Sequence, residues 1–158
     1  MSLLIFFINK NGPKKQRSSN LPKLKWTNKF TIDNYGNALV NSPTGGLGYG
    51  TGAGGTVTQL ASKSTTVTLN KPTGTITMNN AAVAAGGIVT FIVNNSLCNA
   101  TDGVYVYGSG TTVNYSNYKI EMYQSTNGIF AIKVTNVSGS TLSDAIVIGF
   151  VILKGVNS

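Results

Sequence analysis

The sequence predicts an all-β protein: a single antiparallel β-sandwich, jelly-roll or immunoglobulin-like, with an extended N-terminal arm. Three observations lead there. From Gly55 onward apolar residues recur with a period of two, in short runs punctuated by Gly, Pro, Asn and Asp at spacings of about 8–12 residues. Charged residues make up only 10% of the chain, against roughly 25% in a typical soluble domain, so Thr, Ser, Asn and Gly supply the polar surface. Before Gly45 the chain is basic, carries prolines and shows no apolar period. At 158 residues this is one domain with an appendage: residues 1–49 form the arm with a Gly-rich hinge, and residues 50–158 the sandwich.

Taken in order, the apolar run Leu3–Ile8 is too short to span a bilayer, and its lysines follow it, where a signal peptide would place them first. An anchor for a partner's groove, an extra strand and a leader remain as readings of it. Residues 9–29 read as an extended segment without a core of its own. Residues 1–54 hold seven cations and one acid, Asp33, a net of +6, while residues 55–158 hold five cations and three acids, a net of +2. The basicity belongs to the arm. Lys14, Lys15, Arg17, Lys23, Lys25 and Lys29 are therefore candidate contacts to an acidic partner surface, since charge complementarity alone suffices. Trp26 and Phe30 join them, because a large aromatic left in water forgoes roughly 2–3 kcal/mol. They either fold back on their own domain or plug a neighbouring subunit.

Phe30–Val40 reads as a hairpin turning at Asp33-Asn34. Gly45–Gly55 follows as a hinge; its Gly50–Gly55 stretch spells a GxGxxG string, but no apolar strand precedes it and no helix follows, so a dinucleotide loop is excluded. In the body, Thr56–Leu60 and Thr66–Leu69 alternate, and Ile76 and Met78 alternate with Thr75 and Thr77. Val89, Phe91 and Val93 share a face, as do Val104 and Val106 against Tyr105 and Tyr107. Ile120 and Met122 point inward, as do Phe130, Ile132 and Val134. The last strand, within Ala145–Leu153, is apolar on both faces, so its outer residues Val147 and Val151 call for a cover, preferably a second subunit.

Two strings carry a resemblance. GTGAGGTVTQLASKSTTVTLNKPTGTITMNNAAVAAGG, from Gly50, resembles the opening of a small β module that recurs in virion structural proteins of tailed phages and prophages, and Phe130–Gly155 is similar to its close. Residues 95–124 depart from that pattern and carry five tyrosines: Tyr105, Tyr107, Tyr115, Tyr118 and Tyr123. The resemblance implies a role in the particle, either head decoration or a fibre or tail appendage. It implies as partners the major capsid protein or other virion proteins, and a homo-oligomer, preferably a trimer. The outer surface of the head is the expected location. The five tyrosines, with Val147 and Val151, form the expected oligomer or recognition surface, as Tyr combines rigid contact area with a polar tip.

Other chemistries find little material. There is no His, one thiol (Cys98), and four scattered acids, Asp33, Asp102, Glu121 and Asp144. Neither a Cys/His zinc site nor a clustered calcium site can be assembled from these. Asp102 and Glu121 are the one carboxylate pair worth weighing for hydrolysis, and the reading is no enzyme, no cofactor, no metal, no small-molecule substrate and no membrane. The arm puts cations beside one Trp without a base-reading scaffold, so a protein surface is favoured over nucleic acid. Cys98 is expected to pack as a small apolar residue.

Overall fold

The computed structural model describes residues 30–32, 35, 38–40 and 46–156. They fall into two compact units divided between Leu47 and Gly48. In the first, β1 (Phe30–Ile32) pairs antiparallel with β2 (Ala38–Val40), Phe30 opposite Val40. The expected hairpin is present, with a wider connection: the return strand starts at Ala38, not at Tyr35.

The second unit is a sandwich of two four-stranded sheets. The first sheet orders β3 (Thr56–Thr58), β5 (Thr73–Thr77), β10 (Val147–Leu153) and β7 (Gly103–Gly108). The second orders β4 (Val67–Thr68), β6 (Ile88–Asn94), β9 (Ile129–Asn136) and β8 (Tyr118–Thr126). The central ladders are antiparallel, while the edge pairs β3–β5 and β4–β6 run parallel. Parallel neighbours need a crossover connection, and each sheet supplies it for the other: β4 lies between β3 and β5 in sequence, and β5 between β4 and β6. The chain changes sheet at every connection of the body except β8–β9. There Asn127-Gly128 makes a two-residue turn between Thr126 and Ile129, with Gly128 at a φ of 83°, the backbone that an Asn-Gly hairpin requires.

Strand directions sort the loops into two ends. At one end gather the β3–β4, β5–β6, β7–β8 and β9–β10 connections, cross-linked by Met78 N–H to Ile146 O, Val83 to Leu142 and Val137 N–H to Asn117 O. At the other lie the β4–β5, β6–β7 and β8–β9 connections, the segment leading into β3 and the residues after β10. Tyr49 ties that leading segment down by donating to Ile152 O.

The core forms where the two inner faces meet. Phe91, Val93, Phe130, Ile132, Val134, Ile76, Met78, Ile146, Ile148, Phe150 and Ile152 are all buried, as the alternation predicts. The Phe130 and Phe150 rings meet across the sandwich with centroids 5.1 Å apart. Cys98 packs into this core as expected. β10 occupies the middle of its sheet, and its inner face is fully buried; on its outer face Val147 and Val151 are half-buried and Leu153 is exposed.

At two places the residue type does not match its burial. The period continues past β3, and so turns polar Gln59 inward and leaves Leu60 exposed. In β8, Met122 stands opposite buried Ile132 on the inner side, as expected, yet is left exposed, and a register shift between Met122 and Gln124 follows it. A bulge of this kind adds one residue to one strand and breaks the two-residue period.

Candidate recognition surfaces

The arm contacts expected at Lys14, Lys15, Arg17, Lys23, Lys25, Trp26 and Lys29 lie outside the described residues, and Phe30 is the first residue of β1. What the structure does define is the charge of the body. Each of its three carboxylates is already engaged. Asp102, almost fully buried, accepts the Asn99 N–H (2.8 Å) and the Lys154 ammonium on Oδ2, and the Gly155 N–H (3.1 Å) on Oδ1. The Lys154 hydrogen bond holds this carboxyl below its usual range despite burial. Glu121 sits between Lys119 (2.9 Å) and Lys133 (3.1 Å), whose hydrogen bonds, that of Lys119 foremost, likewise keep it low. Asp144 accepts the Tyr118 hydroxyl on Oδ2 at 2.7 Å. Asp102 precedes β7 in one sheet and Glu121 lies within β8 of the other, each with its own cations, so the weighed carboxylate pair is not a pair.

At the end that gathers the β3–β4, β5–β6, β7–β8 and β9–β10 connections lies a polar network that the alternation does not announce. Lys63 is 2% exposed, and its ammonium donates to the backbone carbonyls of Asn79 and Asp144. Burial pushes its pKa down, with the Asp144 charge opposing. Gln59 donates to Lys63 O (3.0 Å) and Thr65 O (2.8 Å) and accepts the Asn79 N–H. Asn136 donates to Val83, Ala84 and Ser140 carbonyls and accepts from Ser138. These bonds fix the loops around Leu60 and Val83 from below.

Burial foremost, then the Asp144 carboxylate, pushes the Tyr118 hydroxyl pKa well up. The folded chain therefore keeps this proton where the unfolded chain loses it, so stability contributed by Tyr118 is present below about pH 10 and lost as pH rises beyond it. Lys63, with its lowered pKa, acts in the opposite sense, and comparing parent with Tyr118→Phe isolates the tyrosine. The urea midpoint of the parent should fall faster than that of Tyr118→Phe above that pH. Parallel pH profiles would contradict the assignment.

The tyrosine-rich stretch does not form one surface. β7 and β8 belong to opposite sheets, which separates its members. Tyr118 is buried, a correction to its expected place on a recognition surface. Tyr115 is half-buried and structural: its hydroxyl donates to Ser109 O or Val147 O and accepts the Val147 N–H. Tyr123 is exposed beside the β8 bulge, with the Lys133 ammonium 5.8 Å from its ring centre. Tyr105 and Tyr107 remain together, near-parallel, with centroids 5.7 Å apart on the outer face of β7.

That outer face brings four of the expected residues into one place. β10 pairs Val151 with Tyr105 and Gly149 with Tyr107, and Val147 follows on the same side. Gly149 is there for room: a Cβ at this position would stand 2.4 Å from Cζ of Tyr107. Across β10 the face continues into Thr73, Thr75 and Thr77 of β5 and Thr56 and Thr58 of β3. No charged side chain stands on it among the described residues, whereas the second sheet carries Lys119, Glu121 and Lys133 outward. Sequence reasoning singled out the tyrosines and valines here but not the threonine columns or Gly149, because the pairing of β10 with both β5 and β7 is non-local.

Among the described residues no group of His, Cys, Asp and Glu side chains could hold a metal ion, and no helix is long and apolar enough to cross a membrane. Compared with protein-family models, curated proteins and solved structures, the chain matches none of them.

Proposed function

We propose that the chain is a virion structural protein of a tailed phage or prophage, a head decoration protein that holds an acidic shell surface through its basic arm. The observation that carries this is the state of the body's carboxylates. Asp102, Glu121 and Asp144 are each committed to internal partners, and the body as a whole is net +2. Among the described residues every side-chain carboxylate of the body already has an internal partner, so an arm of net +6 finds little anionic surface on this body or on that of a second copy. Its complement is a different, acidic molecule. The resemblance at Gly50–Gly87 and Phe130–Gly155 supports a capsid as that molecule. An oligomer, preferably a trimer, would present several arms to one lattice, and linked contacts multiply affinity without any new contact. A fibre or tail-appendage module is the second reading, favoured by the exposed Tyr105–Tyr107 pair.

The test compares the full chain with one beginning at Gly46, both shown to be folded by circular dichroism, in co-sedimentation with undecorated heads. The full chain should coat them and the shortened chain should leave them bare. Full coating by the shortened chain would overturn the arm's role.

A further inference from the structure

We propose that the outer face of the first sheet is a binding platform for an uncharged saccharide chain. Three properties of the face select this ligand. It carries exposed aromatic surface, Tyr105 at 63% and Tyr107 at 39% exposure, beside half-buried Val147 and Val151. It carries hydroxyls at two strand spacings from those rings, about 10 Å, on Thr75 and Thr77, with Thr56 and Thr58 beyond them. Among the described residues none of these four threonine hydroxyls, nor either tyrosine hydroxyl, meets a protein partner. And it carries no ionic group, in a chain of net charge +8.

A neutral sugar offers matching chemistry. Its C–H faces lie against aromatic rings, and its hydroxyls both donate and accept, as Thr and Tyr hydroxyls do. An acidic sugar would find no cation on this face. The platform is also firm: β10 is hydrogen-bonded on both sides, and Gly149 gives Tyr107 a seat across it.

Strand spacing and rise give the face a flat footprint of roughly 330 Å². A second copy, needing ~800 Å² of accessible surface per partner, would have to reach beyond this sheet onto the neighbouring loops. An extended saccharide of a few units needs no more than the footprint.

The experiment is affinity electrophoresis of the full chain in native gels containing dextran, laminarin or hydroxyethyl cellulose, all uncharged, so that the basic arm contributes nothing. The parent should be retarded in at least one gel, and Tyr105→Ala should weaken the apparent affinity by about tenfold, the scale of an aromatic hot spot. Gly149→Ala should reproduce the loss while staying folded, because only the tip of the Tyr107 side chain has to move. Absence of retardation in all three gels, or equal retardation of parent and Tyr105→Ala, would overturn the proposal. So would a drop in oligomer mass by light scattering in Tyr105→Ala without any change in saccharide binding, which would assign the face to a second copy. None of these outcomes bears on head binding by the arm, so the two readings fail separately.

Discussion

Truncating Phe130 or Phe150 to alanine should cost about 3–5 kcal/mol each, the range for a buried phenylalanine whose cavity cannot collapse. Both side chains have zero exposure. Phe130 stands on β9 and Phe150 on β10, the inner strands of their sheets, and the rings meet at 5.1 Å with planes tilted by 55°. The gap left by either is walled by ladders that cannot move independently, since β10 is bonded to β5 and β7, and β9 to β6 and β8. Domains of this size are stable by only about 5–15 kcal/mol, so either variant should lie near the edge of folding at 37 °C. Urea unfolding followed by circular dichroism reads this directly. The exposed Leu153→Ala on the same strand should stay within about 0.5 kcal/mol of the parent. If the phenylalanine variants behaved like Leu153→Ala, the two sheets would not be joined by this core.

Asn136→Asp should destabilise by about 2–3 kcal/mol, the cost of leaving more than one buried group unsatisfied, although it changes hardly any volume. The Asn136 amide nitrogen is a donor to three carbonyls, those of Val83 (2.9 Å), Ala84 (3.0 Å) and Ser140 (2.8 Å), and the residue has zero exposure. A carboxylate can only accept, so it would face three acceptors at once. Asn136→Ala removes the same donor without adding charge and should cost less than Asn136→Asp. Hydrogen exchange should show the loss first at Val83 and Leu142, whose backbone groups bridge the two loops that Asn136 ties together. A neutral effect of Asn136→Asp would mean that those loops do not depend on this side chain.

The sandwich is largely legible in the sequence because its core strands obey a two-residue period without interruption. Val89, Phe91 and Val93 on β6, and Phe130, Ile132 and Val134 on β9, needed nothing beyond alternation. What the period does not encode is pairing. The parallel edge pairs β3–β5 and β4–β6 arise from crossovers through the opposite sheet, and no local signal reports them. The same limit divides Tyr118 from Tyr105: they are thirteen positions apart in sequence, yet their strands belong to different sheets. Buried Lys63 was illegible for another reason. Its partners are backbone carbonyls of Asn79 and Asp144, and carbonyls leave no trace in residue identity. The basic arm was legible as charge alone. Its meaning sharpens only when Asp102, Glu121 and Asp144 are seen to be occupied.

That charge argument is tested most directly by head affinity at low and high salt, for the full chain and for one with Lys14, Lys15, Arg17, Lys23, Lys25 and Lys29 replaced by glutamine. Complementarity between arm and shell predicts tight, salt-sensitive binding by the parent, and weak binding with little salt dependence by the neutralised chain. Equal affinity and equal salt dependence of the two chains would contradict it.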